Sequence, residues 1–253
     1  MPDSAEHGVP GPVMSSGGNF DLIGIDGDDT LWHNERVYRM GRDRFRDVLA
    51  RAGVRTPDEQ VEERVNHIEV RNLSYYGYGV TSFILSLIEA SIELTHGRIR
   101  GSDIQELLRL SREMLTAKVE LFEGAAEALA DLAAAYPLML ITKGDLQHQR
   151  AKADQSGLAD RFRFVEVVSH KTDETYASIL ARHGVSPSRF LMVGNSLRSD
   201  ILPVLQIGGW AVHIPARLGW AYEDGERPGP ATERFFALDQ LRDLPALVAR
   251  LNR

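Results

Sequence analysis

Three carboxylates stand within four residues, at Asp26, Asp28 and Asp29, directly after the apolar run at residues 22–25. The β-branched isoleucines of this run predict a buried strand. Acidic side chains crowded at the end of a strand repel one another unless a cation lies among them or one of them keeps its proton. Because hard cations prefer oxygen ligands, the segment predicts a Mg²⁺ site. A solvated acidic turn is the alternative interpretation.

Three later apolar runs also end at or shortly before polar residues. The runs cover residues 137–142, 164–168 and 190–193, and the polar residues are Thr142, Lys171 and Asn195, with Asp200 following. If the runs are parallel strands, their carboxyl ends meet at one edge of the sheet, where ligands bind. Each residue also has an ordinary explanation, since Thr142 or Asp200 could cap a helix and Lys171 could be a surface lysine.

The hydrophobic pattern changes along the chain. Residues 33–120, called the helical insertion below, carry apolar side chains at helical spacing, with Thr56 and Pro57 predicted to start its second helix. From residue 122 onward, short strands alternate with helices, which predicts an α/β fold with a parallel sheet. The predicted strands are 137–142, 164–168, 190–193 and a last one at 210–214, and the predicted helices are 124–136, 145–157, 173–183, 199–207 and 238–251.

The bulk composition narrows the class of protein. The chain has 253 residues, enough for one domain with an insertion, and its net charge of −7 argues against a nucleic-acid partner. It has no cysteine, which excludes disulfides and thiolate metal sites and suits the cytoplasm, and no apolar run is long enough to cross a membrane. Residues 1–18 lack a secretory apolar segment and are expected to form a flexible tail.

These residues together resemble the haloacid dehalogenase superfamily, in which Mg²⁺-dependent phosphatases predominate. The first family motif, Asp-x-Asp-x-Thr, matches residues 26–30. The second, a Ser or Thr after a strand, matches Thr142, and the third, a lysine, matches Lys171. The fourth, often Gly-Asp-x-x-x-x-Asp, matches residues 194–200 imperfectly, because Asn195 takes its first acidic position.

The resemblance implies a domain organisation. It covers everything except the tail, with the motifs in family order. It implies an α/β core with a doubly wound, Rossmann-like parallel sheet, made of residues 19–32 and 121–253. The helical insertion, residues 33–120, corresponds to the all-helical cap of the superfamily.

The resemblance also implies catalytic roles. Asp26 would be the nucleophile that forms an acyl phosphate. Asp28 would protonate the departing alkoxide and then activate the attacking water. The hydroxyl of Thr142, the turn at Lys143 and the ammonium of Lys171 would bind the phosphoryl group.

A Mg²⁺ ion would be held by Asp26, the backbone carbonyl of Asp28, Asn195 and Asp200. Asn195 supplies a neutral oxygen where relatives often supply a carboxylate, so we expect weaker metal affinity. Loss of that charge also makes a metal-free, dehalogenase-like activity conceivable. Asp28 argues against this alternative, because dehalogenases of the superfamily lack the second aspartate and halide departs without a proton.

The helical insertion offers candidates for substrate specificity. Tyr75, Tyr76 and Tyr78 lie among glycines and could form a loop over the substrate, or could pack within the insertion itself. The arginines between Arg39 and Arg46 are expected to form a solvated helix face.

The predicted function is therefore Mg²⁺-dependent hydrolysis of a small phosphorylated metabolite through an aspartyl-phosphate. The alternatives are a dehalogenase-like hydrolase and a catalytically weak phosphate-binding module. A carbon–phosphorus hydrolase of the same fold would need a lysine in the cap, where only Lys118 is present, at the far edge.

Overall fold

The computed structural model describes residues 18–229 and 232–252, so residues 1–17 of the predicted tail lie outside the described part. The described residues form one six-stranded sheet in the order β3-β2-β1-β4-β5-β6, and every pairing is parallel. The strands are β1 Leu22–Ile25, β2 Leu138–Lys143, β3 Phe164–Val168, β4 Phe190–Gly194, β5 Trp210–His213 and β6 Phe235–Ala237. This confirms the predicted doubly wound α/β fold.

Helices account for most of the remaining secondary structure. They are α1 Glu35–Arg51, α2 Asp58–Tyr76, α3 Val80–Leu94, α4 Gly101–Leu115, α5 Ala125–Ala133, α6 Leu146–Gln155, α7 Asp173–His183, α8 Leu202–Gln206 and α9 Leu244–Leu251. The first four lie between β1 and β2 in the chain and share a hydrophobic cluster of their own. The helical insertion is thus present as predicted.

The central strands are buried on both faces because helices cover the sheet on each side. Ile23 and Ile25 of β1 belong to a cluster that includes residues of α5, α6 and α9. Leu22 belongs to a second cluster that includes residues of α7 and α8. The alternation follows from the period of two residues along a strand, and burial on both faces explains why β1 and β4 are continuous apolar runs.

The two segments that join the insertion to the sheet domain run side by side. The His33 amide donates to the Glu120 carbonyl at 2.9 Å, and the Phe122 amide donates to the Leu31 carbonyl at 2.9 Å. Trp32, beside them, is fully buried and forms an antiparallel bridge with Leu121. Paired linkers of this kind hold the insertion beside the end of β1.

Local details differ from the sequence predictions. The strand at 210–214 is not the last one, because β6 pairs with β5 at the sheet edge. Its three residues follow an irregular segment and give too short a pattern to identify. Helix α2 begins one residue later than predicted, with Pro57 at its N-cap, and it has no side-chain hydrogen bond at this cap.

No helix within residues 18–229 and 232–252 combines the length and the apolar character needed to cross a membrane.

Candidate active site

The candidate site lies where the strand order reverses. The chain runs outward from β1 to β2 and β3, then returns to β4 beside β1 and continues to β5 and β6. Such a switch point leaves a crevice at the carboxyl ends of the strands. A cavity of about 250 Å³ lies there, lined by residues of the strand ends and of the helical insertion. The predicted site residues that line it are Asp26, Asp28, Tyr78, Thr142, Lys143, Lys171, Asn195 and Asp200.

Asp26 directly follows β1 and is held by its backbone and its carboxylate. Its amide donates to the Val193 carbonyl at 2.9 Å, which extends the pairing of β1 with β4. The carboxylate accepts from Lys171 Nζ at 2.5 Å and from Thr30 Oγ1 at 3.1 Å. Burial raises the pKa of Asp26 to about 7 against the opposing charge of Lys171, and the charge of Asp200 adds to the rise.

Lys171 bridges two acidic residues that are both buried. Its Nζ donates to Asp26 at 2.5 Å and to Asp200 at 2.6 Å. The second oxygen of Asp200 accepts from the Ser196 amide at 3.0 Å. Burial alone would lower the pKa of Lys171, but the charges of Asp200 and Asp26 raise it, so the ammonium stays charged. One positive charge therefore serves two buried carboxylates.

Asp28 is enclosed by donors from α6 and from its own loop. Its carboxylate accepts from Lys152 Nζ at 2.7 and 2.9 Å, from Gln149 Nε2 at 2.9 Å and from Trp32 Nε1 at 2.6 Å. Burial pushes the pKa of Asp28 upward, but the charge of Lys152 and these hydrogen bonds outweigh it and hold the pKa below its usual range. In this arrangement Asp28 is an ionised carboxylate.

Thr142 presents an unused hydroxyl to the site. It lies at the end of β2, is 1% exposed and lines the cavity. Within the described chain its Oγ1 has no hydrogen-bond partner. A buried polar atom without a partner is costly, so an oxygen of a bound ligand would satisfy it.

The positive charge of Lys143 is already paired with a carboxylate from the segment that follows β5. Its Nζ pairs with Glu223 at 2.6 Å and donates to Ser199 Oγ at 2.8 Å. Glu223 also accepts from Ser196 Oγ at 2.7 Å and from Ser199 Oγ at 2.6 Å. Burial lowers the pKa of Lys143, and Glu223 opposes that shift. Thr142 is consequently better placed than Lys143 to meet an anion without breaking an ion pair.

The donor set at the strand ends fits a hard cation. Asp26 and Asp200 share one ammonium and keep an uncompensated negative charge, and Asn195 Oδ1 lies 3.4 Å from the Thr30 hydroxyl beside Asp26. The carboxylate of Asp28 faces Lys152, which leaves its backbone carbonyl for a metal. Because only two of these four donors are carboxylate side chains, the described ranges contain no group of three or more His, Cys, Asp or Glu side chains arranged to hold an ion. Mg²⁺ would rely on Asp26, Asp200 and the two neutral oxygens, with water completing the shell.

Asp29 connects the acidic loop to the helical insertion. Its backbone is left-handed, with φ 59°, and its carboxylate accepts from the amides of Asn34 and Glu35 at the start of α1, each at 3.0 Å. Burial raises the pKa of Asp29 to about 6. The third carboxylate of the motif thus caps the start of α1.

The structure does not bring Tyr75 and Tyr76 into the site. Helix α2 continues through both residues and leaves them 75% and 57% exposed, away from the cavity. Tyr78, in the loop before α3, does line the cavity, and Lys143 Nζ lies 4.0 Å from the centre of its ring. The helix extends two residues further into the aromatic run than expected, and this turns the first two rings outward.

Several residues of the site were not anticipated from the sequence. Gln149 and Lys152 lie three residues apart on one face of α6, the helix that follows Thr142. This helical spacing was the feature of the sequence that could have placed both side chains near the strand end. Glu223 ends a single 3₁₀ turn, Ala221–Glu223, which is too short to show a periodic pattern. Arg42 was expected to be solvated, but its side chain is 13% exposed and pairs with Glu69 at 2.5 Å.

Known proteins share this fold and sequence pattern. The sequence family described as haloacid dehalogenase-like hydrolase matches residues 20–208. A haloacid dehalogenase-like family hydrolase from Xanthomonas campestris is 41% identical, with 96% of each chain covered and a TM-score of 0.84. No curated protein matches the sequence.

More distant structures share the fold alone. A predicted phosphoglycolate phosphatase from Haemophilus somnus is 16% identical, covering 90% of this chain and 98% of its own, with a TM-score of 0.61. An L-2-haloacid dehalogenase from Xanthobacter autotrophicus, with chloropropionic acid covalently bound, is 18% identical, covering 91% and 98%, with a TM-score of 0.59. The family match spans most of the chain and includes all four motif segments. This chain belongs to the haloacid dehalogenase-like hydrolases.

Proposed function

We propose that this hydrolase cleaves a phosphate monoester of a small metabolite with the help of Mg²⁺, and that Asp26 is its nucleophile. The observation that carries the proposal is the position of Asp28. A second carboxyl group lines the same cavity two residues after the nucleophile. A departing alkoxide needs a proton from such a group, whereas a departing halide needs none.

In the proposed first step, a carboxylate oxygen of Asp26 attacks phosphorus, and the bond from phosphorus to the leaving oxygen breaks. Thr142 donates its unused hydroxyl to a phosphoryl oxygen, and Lys171 opposes the rise in the pKa of Asp26 while offsetting the charge of the phosphoryl group. Bound Mg²⁺ would supply charge neutralisation between the two anions. Asp28 delivers a proton to the leaving oxygen.

In the proposed second step, water attacks the aspartyl-phosphate and Asp28 accepts its proton. The ionised state of Asp28 beside Lys152 suits this step directly. For the first step, Asp28 must gain a proton despite Lys152, so the strength of this ion pair sets how well the enzyme handles poor leaving groups.

The helical insertion is proposed to act as a cap, with residues 19–32 and 121–253 as the catalytic core. Tyr78 reaches from the insertion to Lys143, and its ring also lies near His170 and Trp220 of the core. These contacts cover one side of the cavity. A cover of this kind excludes water and adds contacts to the leaving group.

Two observations favour the dehalogenase-like alternative. Asn195 lowers the charge available to a metal, and Asp28 is fully hydrogen-bonded to protein donors. The phosphatase proposal is preferred because Asp28 has no evident role in halide loss. The phosphate-binding module remains the third candidate.

The proposal is tested by following phosphate release from an activated aryl phosphate with excess Mg²⁺ and with a chelator, and chloride release from chloropropionate in parallel. We expect Mg²⁺-dependent phosphate release, no chloride release, and loss of turnover in Asp26→Asn, because an amide cannot form the acyl phosphate. Chloride release without phosphate release would support the dehalogenase-like alternative. Phosphate binding without any turnover would support the binding module.

A further inference from the structure

The side of the cavity formed by the helical insertion carries two acidic side chains, Glu35 and Glu69. Both residues line the cavity. Glu69 pairs with Arg42 at 2.5 Å, and Arg42 is shared with Glu62 at 2.8 Å. The carboxylate of Glu35 has no hydrogen bond or ion pair within the described part of the chain, and the residue is half-buried. Burial and the charge of Asp29 raise the pKa of Glu35 to about 7.

An aromatic side chain lines the same cavity as these carboxylates. Tyr38 also lines the cavity, and its pKa is raised first by burial and then by the charges of Asp28, Glu69 and Glu35. Its ring packs edge-on against Phe83 with centroids 5.0 Å apart. A bound organic cation favours the face of an aromatic ring, and carboxylates that line the same cavity would offset its charge.

An independent feature of the cavity points to a ligand with a hydrogen-bond donor. Gln149 is 3% exposed and lines the cavity. Its Nε2 donates to Asp28 and to the Lys143 carbonyl, whereas its Oε1 is buried without a partner in the described ranges. The two donor bonds fix the amide orientation, so Oε1 stays available as an acceptor for an N–H group.

The charge balance of the cavity distinguishes an ammonium group from a neutral hydroxyl. Lysine and arginine contribute three lining residues, Arg42, Lys143 and Lys171, and Lys152 pairs with Asp28 from outside the lining. The acidic lining residues are Asp26, Asp28, Asp29, Glu35, Glu69, Asp200, Glu223 and Asp224. A phosphate dianion and Mg²⁺ would cancel each other and leave this excess in place. Buried carboxylates without a counter-charge are costly, and a hydroxyl does not offset them.

We propose that the alcohol part of the substrate carries an ammonium group, which binds between Glu35 and Glu69 against Tyr38 with Gln149 Oε1 as a further acceptor. The inference rests on the proposed function, because it assigns the phosphate to the Lys171 and Thr142 end of the same cavity. The substrate class is thus a phosphorylated amino alcohol or amino sugar.

The test is calorimetric binding to the Asp26→Asn variant in the presence of Mg²⁺, which requires no turnover. Phosphoethanolamine, hydroxyethyl phosphate and phosphoglycolate have similar length and end in a cation, a neutral group and an anion. Glucosamine phosphate and glucose phosphate, both esterified at the sixth carbon, form a longer matched pair. We expect the ammonium member of at least one series to bind tighter by about tenfold or more, as one charge-assisted hydrogen bond would give.

The variant Glu35→Gln should reduce that preference to about threefold or less, since the amide keeps the shape and loses the charge. Glu63→Gln, an exposed position on α2, is the matched control and should keep the wild-type preference. Equal binding of cationic and neutral members in both series, or a preference for phosphoglycolate, would overturn the inference. The aryl phosphate assay decides the proposed function separately, because it uses a substrate without an ammonium group.

Discussion

Asp28 and Lys152 form the residue pair with the largest consequence for the proposed chemistry. Lys152 Nζ contacts both carboxylate oxygens of Asp28 and also donates to Asn34 Oδ1 at 2.8 Å. Lys152 therefore connects Asp28 of the sheet domain to Asn34, one of the first residues of the helical insertion. Movement of the insertion would change the surroundings of Asp28 and with them its readiness to donate a proton.

Replacement of Lys152 by methionine should move the pH profile of kcat to higher pH. Removal of the ammonium leaves a buried carboxylate with weaker partners, so its pKa rises from the lowered value. Asp28 then stays protonated, as the first step requires, up to a higher pH. It becomes ionised, as the second step requires, only at a higher pH, so both limbs of the kcat profile move to higher pH. The measurement is kcat against pH on an alkyl phosphate. Lys152→Arg, which keeps the charge, should retain the wild-type profile, and an unshifted Lys152→Met profile would contradict this role for the lysine.

Asn195 determines how much negative charge the strand ends offer to a metal. Asn195→Asp should tighten Mg²⁺ binding, measured by calorimetry without substrate, because affinity of oxygen sites rises with ligand charge. Asp200→Ala should weaken it, since Asp200 and Asp26 share one ammonium and together supply the net negative charge. Unchanged affinity in both variants would mean that the loop after β4 does not serve the metal.

At the scale of elements, the turn after β4 is built around a close approach. A Cβ placed on Gly194 would lie 2.3 Å from Asp200 Cγ, so the absence of a side chain lets Asp200 fold back under the strand end. From there it reaches both Lys171 and the Ser196 amide. The turn thus places the side chain of Asp200 where it shares Lys171 with Asp26.

Gly194→Ala should lower the free energy of unfolding by about 1–3 kcal/mol, the usual cost of forcing an extra group into a packed site. It should also reduce turnover, because Asp200 must move away from Lys171. Gly101→Ala at the start of α4 is the matched control, since nothing lies within 4 Å of its added Cβ. Its stability should be unchanged or slightly higher. Thermal and denaturant unfolding measure the first effect, and an unaltered Gly194→Ala protein would contradict the packing argument.

Elements with strong local patterns were predictable from the sequence. The runs that became β1, β2 and β4 are apolar because helices cover both faces of the sheet, and this pattern is visible without any structure. β6 was missed because three residues carry no readable period and the strand depends on β5 for its hydrogen bonds. The predicted helix at 199–207 is divided in the structure, with a wide π turn at Leu197–Ile201 before α8.

The candidate site was predictable only where it coincides with strand ends. Asp26, Thr142 and Asn195 follow strands, so the topology of a parallel sheet brings them together. Glu35, Glu69 and Glu223 reach the cavity through the packing of the insertion and through an irregular loop. Their convergence depends on tertiary contacts between segments far apart in sequence, which periodicity does not encode.

At the scale of the molecule, two structural units with separate hydrophobic clusters meet around one cavity. The strand ends supply the proposed nucleophile, the acid and the phosphate contacts, while the insertion supplies acidic and aromatic side chains. The paired linkers at Leu31–Phe122 and His33–Glu120 join the units beside the acidic loop. In the proposed function, the sheet domain carries out the chemistry and the insertion selects the substrate.

The most direct test of the central claim is to trap the covalent intermediate on Asp26. The protein is mixed with an activated aryl phosphate and Mg²⁺, quenched in acid within the first turnover, digested and examined by mass spectrometry. We predict that the peptide containing Asp26 gains the mass of one phosphoryl group, that a chelator prevents the gain, and that Asp26→Asn shows none. Turnover without this modification, or phosphorylation of a different residue, would contradict the account.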